Sequence, residues 1–155
     1  ANQDMAYIGI ESHRPGAGRL LMSLQEDALT NVKVLIDDAV DILTTRIASQ
    51  SVDEFLIFFP DPWPKKRHHK RRLVNTDFLS SLARCLKPNG LIHVATDWDD
   101  YAKAIVDLIR AESRLHNLSK QGFSPRPASR PETKYERRGV RLGHQVYDII
   151  ARRCP

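Results

Sequence analysis

Apolar positions in this chain come in short runs separated by polar turns, and the spacing inside each run predicts an element. Ala6 to Ile10 is a near-continuous apolar segment that reads as a buried strand ending at Glu11. Ser12 to Gly18 reads as a turn, and Arg19 to Leu29 as a helix with Leu20, Leu21, Leu24 and Ala28 on one side. Val32 to Ile36 is the next strand, running into Asp37 and Asp38, and a short helix is expected from Ala39 to about Ile47. Val52 to Phe59 is a third strand, and a loop rich in proline and cations follows it.

The second half continues the alternation. Thr76 or Asp77 is expected to cap a helix reaching about Leu86, and Lys87-Pro88-Asn89-Gly90 carries the cation, proline and glycine that stop helices. Leu91 to Ala95 is a fourth strand, ending at Thr96 and Asp97. From Trp98, the residues Tyr101, Ala104, Ile105, Leu108 and Ile109 recur at helical spacing and predict an amphipathic helix lying on a sheet. Leu115 to Pro131 has three prolines and reads as irregular, Thr133 to Arg141 as one or two polar helical turns, and Gln145 to Ala151 as a last strand. Strand and helix alternate, and the strands are almost wholly apolar. That pattern predicts an α/β fold in one domain over 1–155, with a mostly parallel sheet covered by helices on both faces.

Composition and charge add a partner to this outline. The 155 residues are 41% hydrophobic and 28% charged, enough for one packed core. The net charge of +5 is concentrated, since Lys65 to Arg72 holds six lysines and arginines in eight positions, and such a cluster suits a polyanion. No apolar run reaches the roughly 18 residues of a membrane span and no signal-peptide pattern is visible, so a soluble, intracellular protein with no membrane partner is expected. Cys85 and Cys154 lack CxxC spacing and are expected to be reduced thiols, and six histidines without HxxxH spacing give no metal site.

The candidate chemistry lies at the strand ends. In α/β sheets ligands bind beyond the carboxyl ends of the strands, and Glu11, Asp38, Asp61 and Asp97 each follow a predicted strand. Asp61 and Trp63 are further set between Pro60, Pro62 and Pro64, which stiffen the loop that displays them. Trp63 suits either stacking on a splayed base or anchoring its loop.

Three motifs make the chain recognisable: Phe58-Phe59-Pro60-Asp61-Pro62-Trp63 with its cation block, Ala95-Thr96-Asp97-Trp98, and Arg130-Pro131-Glu132-Thr133-Lys134-Tyr135-Glu136 continuing to His144. In this order they resemble the bacterial tRNA (guanine-N7)-methyltransferases. The resemblance implies a Rossmann-like S-adenosylmethionine-dependent methyltransferase that modifies a guanine of the tRNA variable loop in the cytoplasm. It implies Glu11, Asp38 and Asp61 as cofactor-binding residues, with Asp61 also catalytic. It further implies substrate contacts at Lys65, Asp97, Thr133, Lys134, Tyr135 and Glu136, and RNA contacts at Arg67, His68, His69, Lys70, Arg71 and Arg72. Members of this family open with a strand and a glycine-rich cofactor loop, and here residues 1–4 already lie past that region. The fold is therefore expected to be N-terminally incomplete, the C-terminal portion of a longer chain. The competing expectation is a non-catalytic RNA-binding domain.

Overall fold

The computed structural model describes residues 4–155. They fall into two compact units, one ending at Ile47 and one running from Ala48 to Pro155.

In the first unit, β1 (Tyr7–Ile10) pairs in parallel with β2 (Val32–Leu35), Ile10 opposite Leu35, through α1 (Arg14–Glu26). A second helix, α2 (Ala39–Thr45), follows β2. The expected turn at Ser12 to Gly18 is instead mostly helix: α1 begins at Arg14, with Pro15 in its opening turn. Proline is tolerated there because the N–H it lacks has no intrahelical acceptor in the first turn. The expected apolar face of this helix is also corrected, since Leu20 and Leu21 are exposed and Ala17 is its buried residue. Two short strands and two helices leave little interior to receive those leucines.

The second unit is built on a four-stranded sheet in the order β3-β4-β6-β5. β3 (Val52–Phe58) runs parallel to β4 (Leu86–Thr96), while β6 (Tyr147–Arg153) is antiparallel both to β4 and to the short β5 (Leu115–Asn117). Lys87 to Gly90, expected as a helix stop, belongs to β4, where Leu86 pairs with Val52 and the register shifts before Glu54 meets Leu91. The preceding helix α3 (Thr76–Cys85) is capped by neither Thr76 nor Asp77: the side chain of Asn75 accepts from the N–H of Phe78 at 3.0 Å. A cap of this kind stabilises a helix by about 1 kcal/mol.

α4 (Asp99–Ala111) packs against α3 and the sheet. Its buried side chains are Tyr101, Ala102, Ile105, Val106 and Ile109. The expected stripe is thus rotated, with Ala102 and Val106 inside and Ala104 and Leu108 half-buried at its margin. With Leu79, Leu82, Ile92, Val94 and Ile149, all nearly inaccessible, these residues form the core of the second unit. Each large aliphatic residue so buried is worth about 1.5–3 kcal/mol. A last helix, α5 (Lys134–Arg141), precedes β6 and is capped by the Thr133 hydroxyl, which accepts from the N–H of Glu136 at 3.1 Å.

Candidate active site

β3 and β4 deliver two of the four expected acids at the same end of the sheet. Because the strands are parallel, with Phe58 opposite Ala95 and the N–H of Phe59 donating to the Ala95 carbonyl at 2.7 Å, both chains leave the sheet at one edge. Asp61 follows three residues after β3 and Asp97 directly after β4.

The loop that carries Asp61 is held in an unusual shape. Phe59 and Trp63 bracket it with φ of 54° and 43°, left-handed conformations that cost a residue with a Cβ about 1 to 2 kcal/mol each. Asp61 at its centre is exposed, and among the described residues its carboxylate accepts no hydrogen bond and joins no ion pair. A turn-forming aspartate would bond to its own loop amides. Asp61 does not, so its acceptor capacity faces outward. Burial pushes the nearby Tyr101 phenol up, and the negative charge of Asp61 adds to the rise.

Asp97 is placed differently. Its Oδ2 stands 3.0 Å from Nδ1 of His144, and Trp98 meets the His144 ring edge-on with centroids 6.0 Å apart. These residues, with Pro64, Asp100 and Tyr147, line an open concavity of about 490 Å³. On its wall Asp99 accepts from Lys103 at 2.7 Å and from the Tyr147 hydroxyl at 3.0 Å, bonds that hold its carboxyl below the usual range. His144 and Tyr147 were not assigned roles from the sequence. His144 closes a quoted motif, but nothing in the sequence announces that it returns to Asp97.

The cation stretch splits by environment. Lys66 to Arg71 forms a 3-10 segment, with Lys65, Lys66, Arg67, Lys70 and Arg71 exposed. The Arg71 guanidinium lies over the Trp63 ring at 5.0 Å, and His68 meets the same indole edge-on at 5.9 Å. Trp63 therefore already carries a cation on its ring. Arg72, expected with the others to face RNA, is buried: it is 6% exposed, its Nε donates to the Pro62 carbonyl at 2.8 Å, and its Nη2 to Asp100 at 2.8 Å. His69 shares this cluster, 3.5 Å from Asp100.

In the segment expected to contact substrate, Lys134 and Tyr135 are exposed, with the Lys134 ammonium 5.0 Å over the Tyr135 ring. Glu136 points inward instead. Both of its oxygens accept from Arg130, at 2.7 and 2.8 Å, and Arg130 Nε stands 2.7 Å from Asp148 Oδ1 without the alignment of a hydrogen bond. Asp148 in turn contacts His93 at 2.7 Å. This buried network lies against the start of the Asp61 loop, since the Arg130 guanidinium lies about 6 Å from the Phe58 and Phe59 rings. Its signal in the sequence was Arg130 within the third motif, six residues before Glu136.

Glu11 and Asp38 share the corresponding edge of the first unit. Glu11 extends the β1–β2 ladder by donating its N–H to the Leu35 carbonyl at 3.0 Å. Its Oε1 accepts from the N–H of His13 at 2.8 Å, while Oε2 lies where a Cβ on Gly16 would come within 3.1 Å. Asp38 caps α2, its Oδ1 accepting from the N–H of Val40 at 2.7 Å. Among the described residues no cluster of three His, Cys, Asp or Glu side chains could hold a metal ion, and no helix is long and apolar enough to cross a membrane.

The family described as putative methyltransferase matches residues 1–149. A tRNA (guanine-N(7)-)-methyltransferase of Legionella pneumophila (strain Corby) is 51% identical over 150 residues, covering 96% of this chain and 67% of its own. The chain belongs to the tRNA (guanine-N7)-methyltransferase family. A member from Nitrosospira multiformis is 50% identical over 147 residues, covering 95% of this chain and 64% of its own. The chain thus spans about two thirds of the length of these relatives. Among solved structures, an S-adenosylmethionine-dependent O-methyltransferase from Thermotoga maritima superposes with a TM-score of 0.62 at 15% identity, over 99% of this chain and 52% of its own. The fold is accordingly α/β and Rossmann-like, with its parallel pairings at β1–β2 and β3–β4 and its antiparallel ones at β6.

Proposed function

We propose that this chain serves the transfer of a methyl group from S-adenosylmethionine to N7 of a guanine in the variable loop of tRNA. The observation that carries the reading is family membership over nearly the whole chain, joined to an Asp61 that has no partner among the described residues, on a strained loop leaving the same sheet end as Asp97. When bound, S-adenosylmethionine supplies an electrophilic methyl sulfonium.

The residues of the first unit fit the cofactor's ribose. Glu11 keeps one carboxylate oxygen on the His13 amide and the other beside Gly16, and a carboxylate at a strand end can accept from ribose hydroxyls. Asp38 keeps one oxygen beyond its capping bond, available to an adenosine group.

Guanine N7 bears an in-plane lone pair and has no proton to lose, so no general base is needed. The protein's work is alignment, which can supply about 7–11 kcal/mol of a barrier. Asp61 serves as the acceptor for the guanine N1–H and N2–H groups, and its negative charge favours the positive charge that develops on the ring. Asp97, steadied by His144, supports the same base from the neighbouring strand end. Lys65, Arg67, Lys70 and Arg71 hold tRNA phosphates, contributing affinity with little sequence choice. The activity belongs to the cytoplasm, where tRNA is matured.

The test is transfer of labelled methyl from S-adenosylmethionine to tRNA by the full-length protein. Label at guanine N7 is expected. Tight tRNA binding with no cofactor binding and no label would instead favour a non-catalytic RNA-binding domain.

A further inference from the structure

The block from Lys65 to Arg72 looks uniform as a sequence, and one of its members does different work. We propose that Arg72 is a positioning residue for the Asp61 loop, holding it at Pro62 to the start of α4, and that it is not a phosphate contact. This rests on the methyltransferase reading above.

The loop has few ties of its own. Pro60, Pro62 and Pro64 have no N–H to donate. Among the described residues, the backbone groups of 60–64 form no hydrogen bond with other backbone. Phe59 and Trp63, both left-handed, store strain at the two ends of the segment. A loop so built needs an outside tie, and the Pro62 carbonyl receives one from Arg72 Nε at 2.8 Å. A bond from an ionised donor is roughly twice as strong as a neutral one.

The same guanidinium reaches the other side of the site. Its Nη2 donates to Asp100 in the first turn of α4, at 2.8 Å, so one rigid fork spans the loop after β3 and the helix that follows Asp97 and Trp98. The fork is itself fixed. Its Cζ lies 4.6 Å from the centroid of the Tyr101 ring, His69 Nε2 stands 3.2 Å from Nη2, and the backbone on either side is tied by Arg72 N–H to the His69 carbonyl and by Asn75 to the Arg72 carbonyl. Tyr101 is held in turn by the N–H of Val74, which donates to its hydroxyl at 2.9 Å. Little of Arg72 remains open to a phosphate, because only 7% of its side chain is accessible. Lysine could not replace it, since a single ammonium on a flexible stem lacks the planar fork.

The test compares Arg72→Ala, Arg72→Lys and Arg71→Ala with the wild type in the full-length protein. For both Arg72 variants kcat should fall roughly ten- to a hundred-fold, the scale of a misplacement of about 1 Å, with tRNA affinity and its salt slope unchanged. Arg71→Ala should flatten the salt slope instead. Release of the loop should also raise the rate of tryptic cleavage after Lys65 and Lys66, a readout that does not depend on the reaction. If Arg72→Ala fails to fold, Asp100→Asn removes the charge from the far end of the strut and should produce the same faster cleavage and kcat-selective loss. A wild-type kcat and cleavage rate in these variants, or a flattened salt slope in Arg72→Ala, would overturn the inference. A wild type that transfers no methyl to tRNA would overturn the functional reading, and the cleavage comparison would still decide the role of Arg72.

Discussion

A Cβ built on Gly139 would stand 2.5 Å from Oδ2 of Asp97 and 3.1 Å from its Cβ and Cγ. α5 therefore passes the end of β4 at a distance that only glycine allows, and the pair fixes where the Asp97 carboxylate can lie.

Gly139→Ala sets two effects against each other. Alanine favours a helix interior by about 0.5–1 kcal/mol, while the added methyl must push Asp97 away from His144. The expected outcome is little change in thermal midpoint with a fall in methyl transfer of roughly ten-fold or more, measured by steady-state kinetics. An active, stabilised variant would show that Asp97 is free to move.

The Arg130 network should behave as a buried ion cluster. Removing the cation leaves Glu136 and Asp148 buried together with only the half-exposed Arg126, 3.3 Å from Glu136, and His93, 2.7 Å from Asp148, beside them, so Arg130→Met should cost about 3–5 kcal/mol in urea unfolding.

Glu136 gives this cluster a pH signature. The bonds from Arg130 hold its carboxyl below the ordinary value of 4.5, against burial that pushes it up. A depressed folded pKa contributes stability that is present above the ordinary value and is lost as pH falls below it through the folded one. Thermal midpoints measured downward from about pH 5 should therefore decline more steeply in the wild type than in Glu136→Gln. Parallel declines would remove Glu136 from the acid response.

The exposed cations should respond to salt. For Lys70→Ala and Arg71→Ala, the slope of log affinity for tRNA against log salt should flatten by a little under one unit for each lost phosphate contact. Unchanged slopes would take both residues off the RNA.

Element types and the strand-end acids could be read from local pattern because each depends on neighbours a few residues away. Val52–Phe58 lies within a residue of where its apolar spacing puts it, and the helix Asp99–Ala111 begins within a residue of Trp98. What escaped depends on contacts far apart in the chain. The burial of Glu136 requires Arg130 and strand β6, and the withdrawal of Arg72 from the cation block requires Asp100, 28 residues on. Charge counted along a sequence does not distinguish a solvated arginine from a buried fork. The start of helix α1 departs from the local pattern, because Pro15, Gly16 and Gly18 signal a turn while Pro15 in fact sits in the first helical turn.

The most direct test of the account is Asp61→Asn in the full-length protein, with methyl transfer to tRNA and tRNA affinity measured side by side. The neutral side chain keeps the shape of the loop and removes the charge. Methyl transfer should fall on the order of a hundred-fold while tRNA affinity stays nearly constant. Equal losses in both, or full activity, would contradict Asp61 as the group that meets the target guanine.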